Sequence, residues 1–173
     1  LHHGDIDAGI IAKVDGLDNF DCTNIFYEQF FAYVAQGDAL FDNKTIRTSD
    51  LKGEYLWLLD EGHCFRDQLM KFCDLKGARQ SKRAYSLGSI ETFMRMVESG
   101  KGITFIPELS LLQLTDVQRE LVRPFALPIP TREIIMVTGK NFIRTSLLDL
   151  IVKEIKHAVP KDMLQLKQTQ QRV

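Results

Sequence analysis

This 173-residue chain contains only three cysteines. An odd count fits a secreted disulfide framework poorly. A reducing, cytoplasmic setting is the better match, where a cysteine pair more often serves catalysis, metal binding or redox sensing. Excess charge is missing too. Twenty-two basic residues against 23 acidic ones leave a net charge of −1, which offers no nucleic-acid surface. No apolar run approaches the roughly 20 residues of a membrane span, and no signal-peptide pattern is visible. Repeats and low-complexity tracts are lacking. Gly100-Lys101-Gly102 lacks the helix with lysine and Ser/Thr that a phosphate loop needs, so it reads as a helix stop and turn. A composition of 45% hydrophobic and 26% charged residues is that of an ordinary globular chain, with length for one domain or two small lobes.

Strand and helix signals alternate. Strands are expected at 6–12, 30–35, 55–59, 85–87, 102–106, 121–127 and 133–137. Residues 48–53 read as a helical turn closed by Gly53, and 1–4 as the last turn of a helix. Phe65, Leu69, Phe72 and Leu75 recur at helical spacing, which predicts a helix over 64–76 stopped by Gly77. Ser89 caps a second helix, with apolar Ile90, Phe93, Met94 and Val97, that ends at Gly100. Pro107 opens a short helix to 112, and a longer one runs over 144–159 to Pro160. Its Leu147, Leu148, Leu150, Ile151 and Ile155 stripe reads as core packing first and a dimer surface second. The tail from 161 is polar and reads as frayed. Alternation with short connections implies α/β with a mixed, largely parallel sheet. Residues 22–29 and the proline-stiffened 127–131 read as crossovers between two lobes.

Gly62-His63-Cys64-Phe65-Arg66-Asp67-Gln68, with Cys73 nine residues beyond Cys64, is the most informative stretch. On a helix that spacing puts the thiols about 13 Å apart along the axis and on opposite faces. A disulfide needs Cα atoms within about 7 Å. Two thiols that pair only by melting a helix would make a redox switch.

This motif, with Phe72-Cys73, resembles the redox centre of the OxyR family, the hydrogen-peroxide-sensing LysR-type transcription regulators. Ser89-Ile90-Glu91-Thr92, Val97, Gly100, Gly102-Ile103-Thr104 and Pro107 follow in the family's order. So do Gly4, Asp7 and Ile10, and Pro130-Thr131-Arg132. The likeness spans about residues 1–160. It implies a two-lobed, periplasmic-binding-protein-like effector domain. Residues 1–26 and 133–173 would form the first lobe, incomplete here, and 27–132 the second, carrying the cysteines. A winged helix-turn-helix domain would be absent from this chain.

The resemblance assigns Cys64 as the sensing, peroxidatic thiol and Cys73 as the resolving one. A helix N-terminus beside an arginine favours a thiolate, and a sulfenic acid condenses with a second thiol. His63, Arg66, Asp67 and Arg132 would line the peroxide pocket. Each also has a plainer reading: a solvated turn for His63, a surface ion pair for Arg66, a favourable N-terminal charge for Asp67, an exposed strand entry for Arg132. Cys73 reads equally as a core residue of the helix. Cys22 belongs to no motif. The family's pocket threonines would lie upstream of residue 1, and Ser81-Lys82-Arg83-Ala84 stands where some relatives carry a histidine.

The resemblance further implies a homodimer or tetramer, DNA engaged through the absent domain, and RNA polymerase as a partner. Hydrogen peroxide would be the signal and a cellular dithiol the reductant. It implies no cofactor, no metal and no membrane. Sensing would be stoichiometric, so the chain is not expected to be an enzyme. The rivals are a LysR-type domain binding a small molecule between its lobes and a thiol peroxidase. Zinc on His63, Cys64 and Cys73 is a further alternative, although nine residues is unlike the usual ligand spacing.

Overall fold

The computed structural model describes residue 1 and residues 5–51, 55–59, 64–73 and 89–173. The expected turn at 1–4, the stops Gly53 and Gly77, the strand 85–87 and His63 lie outside the described residues. The described elements run β1 (Ala8–Ala12), β2 (Phe20–Val34), α1 (Cys64–Phe72), α2 (Ile90–Glu98), β3 (Ile103–Pro107), α3 (Asp116–Arg119), β4 (Val122–Pro124), β5 (Ile129–Gly139), α4 (Thr145–Ala158) and β6 (Gln170–Arg172). The chain divides into two compact units, Leu1–Glu28 with Arg132–Gln168, and Gln29–Thr131 with Thr169–Val173. The last five residues therefore belong to the second unit, not to the first with the rest of 133–173. Their strand β6 pairs with residues of β5 that precede the boundary.

In the first unit β1 lies antiparallel to β5, from Ala8 opposite Thr138 to Ala12 opposite Ile134. Ile134, Ile135, Met136 and Val137 of β5 are all buried, a continuous apolar run that both faces of a strand can bury. α4 contributes the buried Val152, whereas Leu147, Leu150 and Ile151 are exposed. The core reading of that stripe fails for these three. A 3.6-residue period shows which side chains share a face but not what covers it.

The second unit is built on the latter half of β2. Phe30 to Val34 pair antiparallel with Pro107 to Ile103 of β3, and Phe31 to Tyr33 pair with β4. Side chains alternate across the sheet. Phe30, Ala32 and Val34 enter one buried cluster with Ile46, Leu51, Leu56, Leu58, Ile103, Phe105, Phe125 and the inner face of α1. Tyr33 and Ala35 enter the opposite cluster with Met94 and Val97 of α2, Ile106 and Leu121. α2 starts as expected: the Ser89 side chain accepts from the Thr92 N–H at 3.3 Å.

Several expectations are corrected. β2 begins at Phe20, so 22–29 are strand, and β5 takes in 129–131; one extended run serves both as crossover and as ladder. Residues 55–59 make only a bridge, Leu56 to Ile103. α3 went unread because four residues carry too little periodicity to register. The tail is ordered: 161–163 form a 3-10 turn and 170–172 a strand. The ladders of β1 with β5, β2 with β3 and β2 with β4 are antiparallel, whereas β5 with β6 and the single bridges Leu56 to Ile103 and Ile46 to Phe125 are parallel. A single-helix βαβ crossover returns a chain parallel. Among the described residues the connection from β2 to β3 carries two α-helices, α1 and α2, and delivers β3 against β2.

Gly102 is required by geometry. Its φ is +77°, and a Cβ there would lie 2.5 Å from the Tyr55 carbonyl oxygen and 2.7 Å from Trp57 Nε1. Gly102→Ala is expected to destabilise the protein by about 2 kcal/mol, read as a lowered urea midpoint with unchanged slope. An unshifted midpoint would count against this account.

Candidate functional site

α1 presents its buried face through Phe65, Leu69 and the following Cys73, spaced four apart on one stripe. Phe65 meets Phe30 edge-on at 4.9 Å, and Phe72 meets Phe125 edge-on at 6.3 Å. The Cys73 N–H donates to the Leu69 carbonyl at 2.8 Å, which continues the helical bonding to the second cysteine. Cys64 is the first residue of α1, partly buried and off that stripe. All three cysteines are free thiols, Cys22 being exposed and Cys73 buried at 5% exposure. Nine intact helical steps hold Cys64 and Cys73 about 13 Å apart along the axis.

The two thiols differ in environment. Burial pushes the Cys73 thiol up from its ordinary 9.0 to about 12. A neutral thiol is the form this core tolerates. The linkage follows from that direction. Unfolded, Cys73 loses its proton above about pH 9; folded, it keeps it until about pH 12. Its contribution to stability is thus complete below pH 9 and falls by up to about 1.4 kcal/mol per pH unit through that window. Iodoacetamide at pH 8 is expected to alkylate Cys22 and Cys64 in the native protein and Cys73 only in urea, as peptide mass mapping would register. Equal labelling of Cys73 without urea would contradict its burial.

Arg66 is partly buried and Asp67 exposed, both in the first turn of α1 with Cys64. Arg132 lies in the first unit, where its Nε and Nη2 donate to Glu28 Oε2 at 2.8 and 2.6 Å. Glu28 is 2% exposed on its side chain and Arg132 17%, so the plain reading of Arg132 as an exposed residue is corrected. Cys64, Arg66, Asp67 and Cys73 thus share one helix in the second unit, and Arg132 is engaged with a carboxylate of the first.

Sequence reading missed Glu28 and Gln68. A glutamate inside the apolar strand Phe26-Tyr27-Glu28-Gln29-Phe30-Phe31 was a usable signal, because a buried carboxylate needs a cation. Gln68 carried none; its partner is the carbonyl of Val173, 105 residues away. A second polar cluster is centred on Glu98, which accepts from Tyr33 Oη, Arg95 Nη1 and Gln118 Nε2 at 3.0, 2.6 and 2.9 Å. Burial pushes the Glu98 carboxyl up, but the bonds from Gln118, Arg95 and Tyr33 outweigh it and hold the group below its ordinary range. Among the described residues no three His, Cys, Asp or Glu side chains gather as metal ligands. No described helix is long and apolar enough to cross a membrane.

The model of the LysR substrate binding domain matches residues 1–160. The chain is 34% identical over 137 residues to the hydrogen peroxide-inducible genes activator of Pectobacterium carotovorum subsp. carotovorum, covering 79% of this chain and 45% of that protein. It therefore spans less than half the length of that relative. Among solved structures, an OxyR mutant from Porphyromonas gingivalis superposes with a TM-score of 0.92 at 44% identity, covering all of this chain and 79% of the other. Reduced OxyR from the same organism gives 0.90 at 43%, covering 99% and 79%.

Proposed function

The chain belongs to the LysR substrate-binding domain family, among its OxyR members, and from that premise we propose that it is the peroxide-sensing part of a transcription activator. One observation carries the reading: a partly buried Cys64 opens an intact helix and a buried Cys73 closes it. The Cys64 thiolate attacks one oxygen of hydrogen peroxide. The O–O bond breaks, hydroxide leaves and is protonated to water, and Cys64 becomes a sulfenic acid. The Cys73 sulfur then attacks the sulfenic sulfur, the S–O bond breaks and a second water leaves. Two thiols have lost two electrons to one peroxide.

The second step cannot occur across the folded helix. Cys73 must leave its cluster, and Phe65 and Leu69 lose packing, a cost of several kcal/mol. The disulfide must offset that loss, which keeps the oxidised form open to reduction by a dithiol. Arg66 and Asp67, with His63, are assigned to the peroxide site; Arg132 enters that assignment through the family pattern. A second copy of the chain is the partner proposed for the exposed Leu147, Leu150 and Ile151 of α4. DNA and RNA polymerase are assigned to the longer protein, and the setting to a reducing cytoplasm.

The test is a thiol count. Reduced protein given one equivalent of peroxide should lose two of its three thiols, with Cys64 and Cys73 joined on mass mapping. Retention of all three would sink the proposal and favour a small-molecule effector domain. Sustained turnover limited by the chemistry, not by re-reduction, would favour a thiol peroxidase.

A further inference from the structure

The stretch between the two cysteines carries a polar side chain that the redox chemistry does not use. Gln68 sits in the middle of α1 and is buried. Its Nε2 donates to the Val173 carbonyl at 3.3 Å. Val173 in turn donates its N–H to the Thr131 carbonyl at 3.1 Å and packs against the same apolar cluster as α1. Ahead of it, β6 runs parallel to residues 129–131 of β5, and the Ile129 N–H reaches the Thr169 carbonyl at 2.9 Å. A strand this short is marginal by itself and depends on what anchors its ends. Phe72 of α1 and Gln171 of β6 also border one cavity of about 410 Å³, together with Phe125 and Pro128. The last turn of the helix and the strand therefore share a wall as well as a hydrogen bond.

We infer that Gln68 is a clamp through which α1 holds the 170–173 strand, and that oxidation of Cys64 and Cys73 releases that strand from β5. The inference rests on the peroxide reading above: one hydrogen peroxide takes two electrons, both thiols give up their protons, one S–S bond forms and two waters leave. The disulfide requires Cα atoms within about 7 Å, where the helix holds them about 13 Å apart. Residue 68 lies between them and must leave helical geometry. Its amide then loses its aim at Val173, and Phe72 loses its place on the cavity wall. Segment 129–131 is left without its parallel neighbour.

Amide hydrogen exchange on the whole chain tests this. Exchange at Ile129 and Val173 should rise at least tenfold after one equivalent of peroxide and recover with a dithiol, while the amides of β2 and β3 keep their protection. Unchanged protection in protein that mass mapping shows to carry the Cys64–Cys73 disulfide would overturn the inference and leave the peroxide reading standing. A second arm needs no peroxide. In the reduced protein, Gln68→Ala and Gln68→Glu should each raise exchange at Val173 by about three- to tenfold, the worth of one hydrogen bond. The glutamate keeps the length of the side chain but offers no N–H, so it should match the alanine if the hydrogen bond is what holds. Wild-type exchange in both variants would refute the clamp whatever peroxide does.

Discussion

In a Cys22→Ser background, the Cys64→Ser variant is expected to keep its one remaining thiol through an equivalent of hydrogen peroxide. That thiol is Cys73, which burial holds at a pKa of about 12. At pH 7 a group at that value is ionised about once in 10⁵, against about 3% for an ordinary thiol near 8.5. Only the thiolate attacks, so Cys73 should react with peroxide about a thousandfold more slowly than an exposed thiol. The reciprocal variant, Cys73→Ser, should behave differently. It should consume one peroxide, form no disulfide and give a dimedone adduct at Cys64, because the sulfenic acid lacks a second thiol to condense with. The two outcomes assign separate roles to the two ends of α1. Peroxide consumption by Cys64→Ser at the parent rate would remove the case for Cys64 as the sensing thiol.

Replacement of Arg132 by Met is expected to cost about 3–5 kcal/mol of stability, because it takes both guanidinium bonds away from the buried Glu28 side chain. Glu28 is 2% exposed on its side chain, and guanidinium bonds from Nε and Nη2, at 2.8 and 2.6 Å, converge on its Oε2. A second change, Glu28→Gln, should recover most of the loss, since removing both charges avoids the stranded carboxylate. Urea unfolding of the single and double variants measures both effects. The same pair separates two roles for Arg132. If it acts by pairing with Glu28, the double variant restores stability and oxidises Cys64 at the parent rate. If it also serves the peroxide site, stability returns and the oxidation rate does not.

Much of the second unit was legible because its signals are local. Ser89 before Ile90, Phe93, Met94 and Val97 announces a capped amphipathic helix, and α2 begins there. The glycines at 100 and 102 both adopt the positive φ that a stop and turn demand. Phe65 and Leu69 marked the inner face of α1 through spacing alone. The misreadings share a different origin. Residues 22–29 lie in a strand because they belong to β2, which neighbours β5 in the sheet, and nothing within the segment announces that partner. Residues 55–59 have strand composition but find only one bridge. The tail looks polar enough to fray, yet the edge of β5 takes it in as a parallel neighbour.

The sequence by itself determined the chemistry available: which two cysteines lie nine residues apart, that a helix joins them, and that a helix cannot let them meet. These follow from 1.5 Å per residue and 100° per residue, which are properties of the local backbone. Only the tertiary structure decided how the two thiols differ and what the helix holds. Burial in its apolar cluster draws Cys73 to a pKa of about 12, and Gln68 reaches a carbonyl 105 residues away. Arg132 spends its charge on Glu28, also 104 positions distant. Burial and pairing of this kind depend on which segments the fold brings into contact, and separation along the chain does not encode them.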